Sequence, residues 1–417
     1  MLIDKNNDEE ASNEIITSLL LKKHINSYQL SMFLKESGLN SYGNKNINEK
    51  LRYVSNEIKN GNISLEDFEL FLANQAKYTN NRIVITVPVN INANSPLTSY
   101  SQAREALGSD NLNFNKLIGL GDDLPVSSEY ILVAQELTPD SDNVFCFSQC
   151  YLKVSEIKII DTDDTLRYEK VFEFIWIDVF PKQSVYNIHM CLPPSGKNGR
   201  IESSLSAIYS FFSKEIEPKW MLTPSNHSAQ NTLYKMYKVL TEHAEKPYTE
   251  KIEPYYSQIE EFVNQIGKNI GYDDSGIQSI ELKERTKKLF ERAIIQQDYN
   301  FFRTNVSDNR EGVIDKFQYR DRTGASVQAS ADTEISMDEH DIYFDTKETI
   351  ALNKQLNTLW LRWYDRLSHP KEEISQIGVK YECYRNFYVT HFLREHVSKE
   401  RCDYVLPKFI TFESLSI

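Results

Sequence analysis

The spacing of apolar side chains changes character along the 417 residues. From Ser27 to Leu72 they recur three and four apart: Leu30, Phe33 and Leu34, then Ile47 and Leu51, then Leu65, Phe68, Phe71 and Leu72. That spacing lines one face of a helix, so three short amphipathic helices are expected, with Ser27 and Ser64 capping the first and third. Arg82 to Val89 then reads as a strand ending near Pro88. From Tyr130 the rhythm is that of strands. Tyr130–Leu137, Val144–Ile160, Arg167–Phe180 and Ser184–Leu192 are rich in aromatic and β-branched residues and are separated by Asp- and Pro-containing turns, as in an antiparallel meander. In Arg167–Phe180 both parities are apolar, with Val171, Ile175 and Ile177 on one and Phe172, Phe174 and Trp176 on the other. Such a strand is covered on both faces and belongs mid-sheet.

Helical spacing returns at Ser203–Ile216 and, in at least three segments, over Thr232–Phe302, with breaks at Pro247, Pro254 and the run from Gly271 to Gly276. Gly312–Phe344 alternates like strands about an Asp321–Gly324 turn. Lys347–Leu367 matches a long amphipathic helix through Leu352, Leu356, Leu359, Trp360 and Trp363, and further helices are expected within Ser375–Val397. The fold class expected is α+β, with an N-terminal helical head, a central antiparallel meander, helical blocks and a mixed C-terminal region. The corresponding regions are 1–90 for the head with one strand, 91–128 for a loop-rich linker with a short helix near Ser101–Leu107, 129–216 for the β domain, 217–310 for the helical region and 311–417 for the remainder.

Within the head, Gly38-Leu39 closes the first helix, glycine being the residue that enters the left-handed region without a Cβ clash. Gly43-Asn44-Lys45 follows in the turn before the second helix. This order of amphipathic helix, Gly-Leu, Gly-x-Lys and second helix resembles the SAP motif, a helix-turn-helix module over about residues 27–54. The second helix carries Ile47 and Leu51 one residue nearer the Lys than the family pattern does, a rotation of about 100°. The resemblance implies backbone contact with double-stranded DNA, and the residues it points to are Lys35, Gly43, Lys45, Lys50 and Arg52. Between residues 27 and 60, Lys35, Lys45, Lys50, Arg52 and Lys59 face Glu36, Glu49 and Glu57, a local excess of two positive charges. Amides around Gly43 and the second helix's first turn are expected to add to a phosphate site.

Charge limits that contact. A formal net charge of −13 opposes wholesale wrapping of nucleic acid, so DNA contact must be local. Residues 1–12 lack the basic and apolar stretches of a secretory signal, no apolar run reaches the roughly 20 residues of a membrane span, and the five cysteines have no Cys-x-x-Cys spacing. A reducing, cytoplasmic setting without membrane contact is expected.

Catalytic constellations are weak. Asp273, Asp274, Glu281 and Lys283 superficially match a metal-dependent nuclease set, but Glu-x-Lys there belongs on a strand and here falls in a helical pattern. Asp161, Asp163 and Asp164 fit a hairpin turn better than a metal site. Glu173 and Asp178 interrupt the apolar central strand and each needs a cationic or hydrogen-bonding partner. His391 and His396 are five apart rather than four, and Cys146 and Cys150 are too far apart along a strand for a disulfide. The reading is a non-catalytic, DNA-associated scaffold or accessory subunit of a prokaryotic DNA-processing or anti-phage defence assembly, with other protein subunits as partners and neither cofactor nor metal. The alternatives are a metal-dependent nuclease using Asp161, Asp163 or Glu173, and a protein-binding adaptor without nucleic acid.

Overall fold

The computed structural model describes residues 22–78, 82–108, 114–115, 117–160, 165–191, 205–225, 228–272, 282–298, 311–320, 326–330, 346–347, 349–351, 353–365, 375–393 and 397–416. Its class is α+β, as expected. Contacts group the chain into two units rather than five regions: residues 1–227 with 384–402, and residues 228–383 with 403–417.

In the first unit, three helices, α1 (Ser27–Glu36), α2 (Ile47–Lys59) and α3 (Leu65–Lys77), precede strand β1 (Arg82–Ile91). A short helix α4 (Tyr100–Leu107) and the two-residue β2 (Phe114–Asn115) lead to the meander. The meander comprises β3 (Ile131–Asp140), β4 (Asn143–Ile160), β5 (Leu166–Phe180) and β6 (Val185–Cys191), and helix α5 (Leu205–Lys219), β7 (Leu222–Pro224) and the late strand β12 (Tyr388–Phe392) complete the unit. The strand order is β2-β3-β4-β5-β6-β1-β12, every pairing antiparallel.

Both faces of this sheet are covered, which explains the double apolar parity of β5. Phe172, Phe174 and Trp176 pack with Leu152 and Val154 against Leu30, Leu34, Leu51, Val54, Phe68 and Leu72 of α1–α3. Ile175, Ile177 and Val179 join Phe147, Ile83, Ile85 and Ile188 against Leu107 of α4 and Ile208, Phe212 and Ile216 of α5. The expected boundary after residue 90 is therefore absent, because β1 pairs with β6 and β12 in the middle of the sheet.

The second unit pairs helices with a smaller sheet. Helices α6 (Ala229–Ile252), α7 (Tyr256–Ile270) and α8 (Leu282–Gln297) are followed by β8 (Gly312–Arg320), β9 (Ser326–Ser330), β10 (Thr358–Tyr364) and β11 (Gln376–Cys383), and helix α9 (Lys399–Glu413) closes the chain. The four strands run antiparallel in the order β9-β8-β10-β11. Helix α6 continues through Pro247, contrary to expectation, and the break falls at the 3-10 turn Glu253–Tyr255, where Pro254 sits at the tolerated first turn. Two contacts tie the helices: Lys287 of α8 lies 2.7 Å from Glu260 of α7, and Glu291 of α8 accepts from Thr249 Oγ1 of α6 at 2.7 Å, while Glu284 and Lys288 pair with Lys287 and Glu291 inside α8 at 2.7 and 2.5 Å. Phe262, Ile266 and Ile270 on α7 and Leu289 and Phe290 on α8 stay exposed, as does Tyr255 in the turn before α7.

The long helix expected over Lys347–Leu367 is corrected to a strand over most of its second half. Leu356, Leu359, Trp360 and Trp363 do fit a helical face, but Leu359, Leu361 and Trp363 alternate equally well, and pairing to β8 and β11 decides the matter. The helices expected within Ser375–Val397 are likewise β11 and β12, with alternating burial at Ile377, Val379 and Tyr381.

Candidate nucleic-acid interface

Helix α1 begins one residue earlier than the Ser27 cap would place it. The Asn26 side chain accepts from the amides of Tyr28 and Gln29, satisfying two of the donors a helix N-terminus leaves open. Its C-terminus ends as expected at Gly38, with φ +75° and the Leu39 amide returned to Leu34 O at 2.9 Å. Leu39 packs on the core that Leu30 and Leu34 share with Leu51 and Val54, and this contact holds α1 and α2 as a hairpin.

Three of the five residues implied by the SAP resemblance are exposed cations. Lys35 lies in the last turn of α1, Lys45 just ahead of α2, and Arg52 on α2's outer face. Lys45 Nζ stands 3.5 Å from Glu49 Oε1, an exposed and therefore weak pair. Gly43 is exposed, and nothing lies within 4 Å of the place a Cβ would occupy, so no close backbone packing requires the glycine.

Lys50 is a correction. It is 2 % exposed, and its ammonium donates to Ser27 O at 3.0 Å, Ser27 Oγ at 2.9 Å and Ser31 Oγ at 2.7 Å. All three of its donors are spent on α1, so Lys50 fastens the hairpin instead of facing solvent. The expected phosphate cradle at the start of α2 is also partly filled. Asn46 and Glu49 form a capping box, Asn46 Oδ1 accepting from the Glu49 amide at 3.0 Å and Glu49 Oε2 from the Asn46 amide at 3.2 Å. The exposed charges between residues 27 and 60 are then Lys35, Lys45, Arg52 and Lys59 against Glu36 and Glu49, because Lys50 and Glu57 are buried. The excess of two survives. Arg52 and Lys59 share the outer stripe of α2 with Asn48 and Asn56, spaced four, four and three apart and free of acids.

A second polar cluster lies under the head, between α3 and the sheet. Asp178 on β5 is buried and accepts from Lys77 Nζ at 2.6–2.7 Å and from Ser148 Oγ at 2.6 Å. His189 Nε2 stands 2.9 Å from Asp178 Oδ2. Burial alone opposes ionisation of Asp178. The Lys77 ammonium beside it outweighs that and holds its carboxyl well below the usual range, while Lys77 is held above its own. Burial lowers His189, against the opposing pull of Asp178. Ser148 donates to the carboxylate and not to the imidazole, so no hydroxyl is activated by a base here. The arrangement is a buried ion pair with its lone pairs satisfied, as a carboxylate in a central strand demands. Behind it, buried Arg82 donates to Gln75 O at 3.4 Å and to Ala76 O at 2.5 Å, closing the C-terminal end of α3.

The Asp178 partner expected from sequence is thus Lys77, and Glu173 stands half-buried opposite Lys153 in the β4–β5 register. Asp161, Asp163, Asp164, Asp273, Asp274, Glu281 and His396 lie outside the described residues, while Lys283 sits on helix α8 and His391 on strand β12. Among the described residues no three His, Cys, Asp or Glu side chains gather as a metal site. Cys146 is a free, buried thiol pushed up to about 12 by burial. Among the described residues no helix is long and apolar enough to cross a membrane.

No protein-family model, no curated protein and no solved structure matches this chain. These comparisons neither support nor contradict the SAP resemblance.

Proposed function

We propose that the protein is a non-catalytic scaffold whose N-terminal hairpin holds double-stranded DNA by local contact with the phosphate backbone, as an accessory subunit of a larger assembly. One observation carries the reading: Lys35, Lys45 and Arg52 are exposed on a hairpin with a surplus of two positive charges, on a chain of net charge −13. A small basic island on an acidic body directs a polyanion to one place and repels it elsewhere. Two or three phosphate contacts give weak, sequence-neutral and salt-sensitive binding. The buried carboxylate of Asp178 is spent on Lys77, which suits a structural body. The apolar side chains exposed on α7 and α8 suit a protein partner in the same assembly.

Fluorescence anisotropy with a labelled duplex, titrated with salt, tests this. The Lys45→Glu, Arg52→Glu double variant is expected to weaken binding and to flatten the log–log salt slope by about two. An unchanged slope, or no duplex binding by the wild-type chain at low salt, removes the DNA contact.

A further inference from the structure

The sheet of the second unit has one face covered by helices and one face turned outward, and the outward face carries the chemistry of a stacking surface. Tyr237 of α6 packs edge-on against Phe317 at 5.6 Å, and Phe409 and Phe412 of α9 meet Tyr381 and Trp363 at 5.8 and 5.9 Å. These contacts bury one parity: Leu359, Leu361 and Trp363 on β10, Phe317 and Tyr319 on β8, Val379 and Tyr381 on β11. Side chains of the opposite parity are partly exposed. On the central strand β10 they are Trp360, Arg362 and Tyr364.

Strand register sets the surroundings of Trp360. Lys316 and Lys380 are its direct neighbours on β8 and β11, and their ammonium groups stand 4.6 and 5.1 Å from the indole centroid. Arg362, the next outward residue, is held by Asp315 at 2.9 Å and by Gln376 at 2.8 Å, and Gly378 opposite it adds no side chain. Arg320 is exposed at the end of β8. The face thus bears Lys316, Arg320, Arg362 and Lys380 against Asp315 and Glu382, two cations in excess. Lys380 pairs with Glu382 at 2.7 Å, whereas Lys316 has no acidic partner among the described residues.

We infer that this outward face binds a single-stranded polynucleotide, one base stacking on Trp360 while Lys316 and Lys380 take the flanking phosphates. Aromatic rings offer every base a π-face, and neighbouring cations follow the backbone, a combination that reads no sequence. A lysine over the ring marks the place an incoming base takes, and its four-carbon stem lets the ammonium swing to the phosphate. Duplex DNA, with its bases stacked internally, has no face to offer Trp360. The surface belongs to a different unit from the hairpin and does not depend on the hairpin contacting DNA.

The test uses the full chain and anisotropy of labelled oligo-dT, oligo-U and a duplex of equal length at low salt. Wild type is expected to bind the single strands. Trp360→Ala is expected to weaken that binding about tenfold, and Lys316→Gln to lower the salt slope by about 0.7, with duplex binding unmoved by either. Far-UV circular dichroism confirms folding, and Lys316→Gln, at a half-exposed position, serves if Trp360→Ala loosens the sheet. Absence of single-strand binding by wild type overturns the inference. So does wild-type affinity in both variants, or loss of single-strand binding in the Lys45→Glu, Arg52→Glu variant instead. The oligo-dT and oligo-U arms decide whether DNA or RNA is preferred.

Discussion

Replacing Lys50 separates a fastening role from a DNA-binding role. In Lys50→Met the apolar stem stays and the ammonium goes, removing three hydrogen bonds to Ser27 O, Ser27 Oγ and Ser31 Oγ. Bonds to a charged group contribute about 1.5–3 kcal/mol each, but the loss is far smaller than their sum. The ammonium no longer has to be stripped of water, and Ser31 Oγ already donates to Ser27 O at 3.2 Å, so that carbonyl keeps a partner. A net cost of about 1–2 kcal/mol follows, confined to the hairpin. Lys50→Glu is a different case: a buried carboxylate faces the Ser27 carbonyl oxygen that the ammonium had bonded, and the cost rises to about 3–5 kcal/mol. Hydrogen exchange followed by mass spectrometry, read on peptides from residues 22–60, is the suitable assay, since a two-unit chain has no single unfolding free energy. Protection in α1 and α2 is expected to fall modestly in Lys50→Met and to collapse in Lys50→Glu, while the salt slope of duplex binding in Lys50→Met stays at the wild-type value. Unchanged protection together with a lower slope would refute the reasoning, because it would put the ammonium on a phosphate.

Four further variants probe the buried ionisable groups of the first unit. Asp178→Asn leaves the Lys77 ammonium without its counter-ion and is expected to cost about 3–5 kcal/mol, read as lost hydrogen-exchange protection in peptides from α3 and β5, more than the paired change Asp178→Leu with Lys77→Met, which removes both charges. His24 and Glu69 predict opposing pH trends. Burial lowers His24 to about 4, so the stability it contributes is full above its unfolded value near 6.5 and is lost as pH falls toward 4; burial raises Glu69 to about 7, so its contribution is full below the ordinary carboxyl range and is lost as pH rises toward 7. Thermal melts between pH 4 and 7 are expected to show a steeper gain with pH in Glu69→Gln and a steeper loss in His24→Gln than in wild type, and parallel curves would contradict the assignment.

How far the sequence reaches depends on whether an element announces itself locally. The four meander strands are legible because aromatic and β-branched runs end at Asp- and Pro-bearing turns, and β5's double parity correctly places it between β4 and β6. Strand β10 is misread because Leu356, Leu359, Trp360 and Trp363 satisfy a helical period as well as a strand's, and its partners β8 and β11 are separate segments of sequence. The same distance hides the chemistry. Asp178 is recognisable as a carboxylate in need of a cation, yet nothing near it names Lys77, 101 residues away. Lys50 resembles the exposed lysines beside it in composition, and its burial becomes visible with the pairing of α1 and α2 that sets it against Ser27 and Ser31. Lys316, Trp360 and Lys380 meet by strand register alone.

The central place of β1 bears on how the chain is made. This strand is almost wholly apolar and pairs on one edge with β6 and on the other with β12, which lies about 300 residues further along the chain. Until β12 arrives, one row of β1 amides and carbonyls has no partner and invites strands from other chains. Completion of the first unit's sheet is therefore expected to wait until β12 has been synthesised, and the open edge of β1 is the place where shielding during synthesis would raise yield.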